Sequence, residues 1–262
     1  MLSKENRCIY RKNQLSEVIC QLRFPEILTI GANLPVEFQE LIRDEFPQYS
    51  ARKETPAPKL AGTPGNLRLE KQPEVTNYQF VSADGHWKVN LTSKFISLAC
   101  NRYTRWEDFA QRLDKPLAAF IKVYRPAYFE RVGLRYLNFF SRQALDLESS
   151  PYRDLFTPCY LGPLAVEDVP ETAVSRCALD MEFAIRGGCR AKIHAGPGMV
   201  KGPAQQNPAP KFIFDLDLFM PGKVQVNLSA GALQTLHGQA FSIFRGAITD
   251  TLHDAMEPEY LL

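Results

Sequence analysis

Two pairs of carboxylates stand out among the residues able to do chemistry: Asp180 with Glu182, and Asp215 with Asp217. In a strand, residues two apart point to the same face, so each pair presents both acids on one side. Neighbouring strands would gather all four into one patch, suited to a divalent cation or to a basic partner. The plainer reading is preferred: a solvated sheet face, its acids paired to Lys192 and His194, because antiparallel sheets commonly leave one face in water. No metal ligand is assigned.

Basic residues cluster earlier, at Arg102, Arg105, Arg112, Lys115, Lys122, Arg125, Arg131 and Arg135. Such a run could contact phosphates. Arg105, Arg112 and Lys115 avoid the apolar stripe of their helix, and with Arg125 they are the candidates for partner contact. The aromatics nearby (Tyr103, Trp106, Tyr124, Tyr136) suit core packing better than base stacking. Gly196–Gly202 (GPGMVKG) could cradle a phosphate with Lys201 as counter-charge, and it loosely resembles the glycine-rich loop of CRISPR RNA-processing endonucleases. A flexible connector explains it as well. The four histidines (His86, His194, His237, His253) lack metal-ligand spacing and read as structural or solvated. No nucleophile elbow, zinc motif, phosphate loop or dinucleotide fingerprint occurs. No catalytic residue and no cofactor is assigned.

Composition sets the frame. Of 262 residues, 45% are hydrophobic and 23% charged, which is globular. A net charge of +2 gives no reason to expect a nucleic-acid or membrane partner. The six cysteines form no CxxC pair, and the four in or beside expected strands read as reduced core residues. No stretch reaches the ~18 apolar residues of a membrane span, and the N-terminus is polar. The expected compartment is the cytoplasm. One charge asymmetry appears: nine basic against four acidic residues from Arg102 to Arg142, then three against eight from Arg142 to Glu182.

The elements that must position these residues follow from periodicity. Val18–Phe24 reads as a strand and Pro35–Phe46 as a helix; residues 50–76 read as a long Pro/Gly loop. Tyr78–Ser82 and Trp87–Thr92 form a hairpin pairing Phe80 with Val89 and Tyr78 with Leu91, with Asp84-Gly85 in a type I′ turn. Phe95–Arg102 is a strand. Thr104 and Glu107 form a capping box opening a helix that Pro116 should kink or divide. Arg131–Phe140 is a central strand. Cys177–Ile185 and Cys189–Ala195 form a hairpin with two possible registers. The preferred one has a three-residue loop with a glycine bulge, setting Glu182 opposite Lys192 and Asp180 opposite His194. Residues 196–210 are a loop. Lys211–Phe219 and Val224–Leu228 form a last hairpin, and Ser229 caps a final helix whose stripe runs from Leu233 to Leu252. The class is α+β, a mostly antiparallel sheet with three main helices, arranged as two ferredoxin-like halves. The division is 1–142 and 177–262 around an acidic connector at 143–176, unless one domain spans both.

Five segments together carry a resemblance: EVICQLRFPEIL (17–28), LPVEFQELIRDEFPQY (34–49), RYTRWEDFAQRL (102–113), PAYFERVGLRYLN (126–138) and FRGAITDTLHDAMEP (244–258). They resemble a sporadically distributed family of uncharacterised prokaryotic proteins with no established activity. That resemblance implies an accessory protein of a phage-defence locus, such as a CRISPR-associated one, and transfers no functional residue. The expected function is a non-catalytic adaptor that docks a protein encoded nearby. The alternative is a ferredoxin-like RNA-binding or RNA-processing protein.

Overall fold

The computed structural model describes residues 2–55, 59–63, 66–71, 73–200 and 210–260. In chain order its strands and helices are β1 (Cys8–Tyr10), β2 (Leu15–Arg23), α1 (Leu28–Ala32), α2 (Val36–Ile42), β3 (Gln48–Glu54), β4 (Lys59–Thr63), β5 (Asn66–Glu70), β6 (Val75–Val81), β7 (Trp87–Leu91), β8 (Phe95–Cys100), α3 (Trp106–Tyr124), β9 (Phe129–Phe140), α4 (Tyr152–Leu155), β10 (Leu179–Ala184), β11 (Arg190–Met199), β12 (Pro210–Val224), α5 (Ser229–Ala247), α6 (Asp250–Ala255) and β13 (Pro258–Tyr260). Nine strands form one sheet in the order β10-β11-β12-β9-β2-β8-β7-β6-β3, and every neighbouring pair is antiparallel. The fold is α+β. No helix among the described residues is long and apolar enough to cross a membrane.

Alternation puts one set of strand side chains into the core: Val18, Cys20 and Leu22 on β2, Leu134 and Tyr136 on β9, Phe212, Phe214, Leu216 and Leu218 on β12. The long helices α3 and α5 pack over these residues, with α2 against α3. Among the described residues no long helix packs on the other face. Within the first half, β9-β2-β8-β7 has the 4-1-3-2 order of a ferredoxin-like unit, extended by β6 and β3. The second half follows another plan. Strands β10, β11 and β12 form a meander on β9, and α5 follows them; among the described residues no α-helix lies between these strands.

Both hairpin registers are as expected. Phe80 faces Val89 and Tyr78 faces Leu91; Asp180 faces His194 and Glu182 faces Lys192. The first tip differs, because only Gly85 takes a positive φ, 73°, and type I′ needs two such residues. The Asp84 carboxylate instead accepts from the Ser82 hydroxyl at 2.5 Å and the His86 amide at 3.0 Å. Residues 50–76 are no plain loop: β3 extends the sheet edge and β4 pairs with β5. The expected last hairpin is a single strand. β12 pairs with β9 on both sides of an irregularity between Pro221 and Val224. Gly196–Met199 continue β11, and Gly196 lets the Cys177 carbonyl approach to 2.3 Å from where a Cβ would sit. Lys201 and Gly202 lie outside the described residues. The connector at 143–174 is a packed cap that buries Tyr152, Leu155, Phe156, Tyr160 and Leu164; Phe156 stacks on Phe212 at 3.9 Å.

Helix ends depart most. Arg105, extended, precedes α3; the Thr104 hydroxyl donates to Asp108 at 3.0 Å and Glu107 is held by Arg7, so no capping box forms. The helix continues through Pro116 undivided. Ser229 is the first residue of α5 and donates to the Val226 carbonyl at 2.8 Å, so it caps nothing. The final helix breaks at Ile248, which is extended and bridges to Phe156. Arg245 secures the corner with bonds to the Ile248 carbonyl at 3.3 Å and Asp250 at 2.5 Å. Thr249 then caps α6 by accepting the Leu252 amide at 3.4 Å. Accordingly, Thr249→Ala should lower stability by about 1 kcal/mol in urea denaturation, while Thr104→Ala should change it by less than about 0.5 kcal/mol.

Candidate functional site

Two places concentrate polar chemistry. The first lies on the open face, where the sheet brings Asp180, Glu182, Asp215 and Asp217 together around a shallow hollow of about 450 Å³. Cross-strand register builds it: Asp180, His194 and Asp215 form one row, and Glu182, Lys192, Asp217 and Arg135 the next. Each acid has a cationic or imidazole partner. Asp180 meets His194 at 2.8 Å, and Glu182 meets Arg190 at 2.8 Å and Lys192 at 3.2 Å. Asp215 accepts from Arg135 at 2.7 Å, and Asp217 accepts from Arg131 at 2.6 Å and 2.7 Å. The Arg190 hydrogen bond, then Lys192, lowers the Glu182 pKa. Bonding to Asp215 raises that of Arg135.

Glycine explains how Arg131 reaches its acid. A Cβ on Gly133 would lie 2.1 Å from the Arg131 guanidinium, so the missing side chain leaves a trough along β9. The guanidinium lies over the Phe219 ring at 4.6 Å and meets Asp217 beyond it. Among the described residues no group of three or more His, Cys, Asp or Glu is placed to hold a metal ion.

The four basic candidates do not form one free patch. Arg105 pairs with Asp108 at 2.9 Å. Arg112 bonds Glu45 at 3.2 Å and lies over Phe46 and Trp87, so it packs where it was expected to be solvated. Lys115 is paired with Asp44 and Glu45. Arg125, at the end of α3 with φ 46°, is exposed. The Arg112 and Lys115 pairs tie α3 to the segment just after α2, while the Arg105 pair is local. Glu171 likewise serves Arg142, at 2.9 Å. The charge asymmetry of the sequence is thus partly cancelled in space.

The second place was missed by sequence reasoning. A cavity of about 100 Å³ lies on the covered side of the sheet, between α5, the segment before α3, and residues 7–15. The Tyr136 hydroxyl sits 2.8 Å from His237 Nδ1, and Trp106 stacks on the imidazole at 4.7 Å with planes 10° apart. No family model matches this chain, and no curated protein matches it. The reading of the cavity therefore rests on its geometry. The imidazole is held neutral, its pKa lowered to about 4 by burial and then by the Arg7 charge. Burial raises the Tyr136 phenol well above its ordinary value, with the Tyr103 phenol adding to the effect. The sequence held one signal: His237 occupies the apolar stripe of its helix, between Leu236 and Ala240, where an imidazole needs a partner. Tyr136 supplies it from an inward position of β9.

Burial of His237 has a pH consequence. Its folded pKa of about 4 lies below the usual 6.5, so the unfolded chain takes up the proton first as pH falls. Stability is full above about pH 6.5 and declines toward pH 4, by up to ~3 kcal/mol. His253, lowered chiefly by burial, acts in the same direction. Urea denaturation across that window should show a shallower decline for His237→Phe than for the wild type.

Proposed function

We propose that this chain is a non-catalytic binding protein that docks a folded protein partner on the open face of its sheet. The observation that carries the reading is the mixed-sign lattice around Asp215 and Asp217. Its acids and bases alternate within rows and are fixed against one another across strands. A nucleic-acid backbone calls for a surface of one sign. A lattice of alternating sign instead complements a protein surface that also carries both signs, and it sets the register of docking. The partly exposed apolar side chains Ile19, Leu137 and Ile213 lie on the same face and provide area to bury. The assignment to an accessory role in a prokaryotic defence locus rests on the segment resemblance, which also directs the search for a partner to products of neighbouring genes.

The lattice can be inverted without being dismantled. Glu182→Lys combined with Lys192→Glu keeps a cross-strand pair and reverses the pattern that a partner would meet. In capture experiments with neighbouring gene products, this double variant should bind about tenfold more weakly at unchanged denaturation midpoint. Equal capture by both proteins, or steeply salt-dependent RNA binding by the wild type, would replace this reading with the RNA alternative or with another surface.

A further inference from the structure

The cavity beneath α5 is lined by groups without free charge. Arg7 reaches its edge but is engaged by Glu107 through bonds of 2.8 Å and 2.9 Å. Arg105, at the rim, is bonded to Asp108 at 2.9 Å. Leu15, Leu216, Ala240 and Phe244 supply apolar wall. Asn13, Gln14, Tyr103, Thr104, Tyr136 and Asn138 also line it, and among its polar groups His237 is held in a fixed setting. His237 is 7% exposed; Trp106 fixes its plane and Tyr136 occupies its Nδ1. The indole is itself anchored, donating to Gln234 at 2.7 Å. The opposite nitrogen, Nε2, is buried and has no hydrogen-bond partner among the described residues. Buried polar atoms are rarely left so, because the lost hydration is not recovered.

We infer that this cavity binds a small uncharged molecule carrying one hydroxyl or ring nitrogen, hydrogen-bonded to His237 Nε2. Size follows from the volume: an apolar cavity of about 150 Å³ admits benzene, so the 100 Å³ here suits a five-membered ring or a short alcohol. Charge follows from the lining, where an ion would lose its hydration and find no free counter-charge. The functional group follows from the tautomer. If Tyr136 donates to Nδ1, then Nε2 carries the proton and donates; if Nδ1 donates to Tyr136, then Nε2 accepts. A hydroxyl, or a ring holding both N–H and N, satisfies either state. This site lies on the opposite side of the sheet from the proposed docking face, and its test does not involve a partner.

The probe is pyrazole, titrated into the full chain by calorimetry, with thiophene as the ring of similar size lacking N–H and propionate as the anion. Pyrazole should bind saturably, thiophene about tenfold more weakly, and propionate not at all. His237→Phe keeps the aromatic stack and removes the nitrogen, so it should lower pyrazole affinity to that of thiophene. Ala240→Leu should fill the cavity and abolish binding of both rings. Absence of saturable pyrazole binding to the wild type would overturn the inference and leave water as the occupant. Equal pyrazole affinity in wild type and His237→Phe would overturn it as well. Should Ala240→Leu fail to fold, the pyrazole–thiophene comparison on the wild type decides.

Discussion

Strands β9 and β12 run side by side for most of their lengths, and their alternation governs the rest of the molecule. Along this pair every second side chain enters the core. Leu134 and Leu218 lie opposite one another, as do Tyr136 and Leu216, and both pairs are buried. The intervening residues form the charged rows of the open face. A shift of one residue would carry Asp215 and Asp217 under α5 and expose Phe214 and Leu216. The cost of burying those carboxylates without their arginines fixes the register as firmly as the apolar side does. Lattice and core are therefore two expressions of one constraint, and the central position of β9 transmits it to both halves of the sheet.

The helical layer is attached by polar contacts as well as by apolar packing. Tyr136 meets His237 across the β9–α5 contact, and Tyr10 meets His253 at 2.8 Å across β1 and α6. Arg7 reaches α3, while Arg245 gathers Glu5 and Asp250 at the corner between α5 and α6. Residues 3–10 thus act as a strap over the helices. Arg245 is the most buried of these cations, and loss of either acid would leave it short of a partner in a place poorly reached by water.

Much of the sheet was legible in the sequence because strand alternation and turn chemistry agree with each other. Asp84-Gly85 and Arg186-Gly187-Gly188 mark the two hairpins, and opposite charges at Glu182 and Lys192 select the second register. Residues 48–70 were obscure for a physical reason. Gln48–Glu54 form an edge strand with all seven residues exposed, so no buried side chain imprints a period on them. The cap at 143–174 was obscure in a different way: it buries aromatic residues through single turns, which leave neither a two-residue nor a 3.6-residue repeat. Helix starts misled because serine and threonine hydroxyls have alternatives to capping. Thr104 prefers a carboxylate, Ser229 a carbonyl, and only Thr249 caps. The acidic patch could be anticipated from spacing. Its partners Arg131 and Arg135 could not, since they come from a distant segment, and Arg131 needs Gly133 to lie flat. Tyr136 and His237 were hidden by the same separation.

Cys8 pairs with Tyr260 and Tyr10 with Pro258, so the ribbon of β1 and β13 joins residues from opposite ends of the described chain. On a ribosome, β1 emerges long before its partner exists. The nine-stranded sheet can be complete while this strand still lacks its ladder, and its amides must stay hydrated until Pro258–Tyr260 are released. The strap over the helices therefore closes only after every strand of the large sheet has been made. The bond between Tyr10 and His253 can form only after both the sheet strands and α6 have been made.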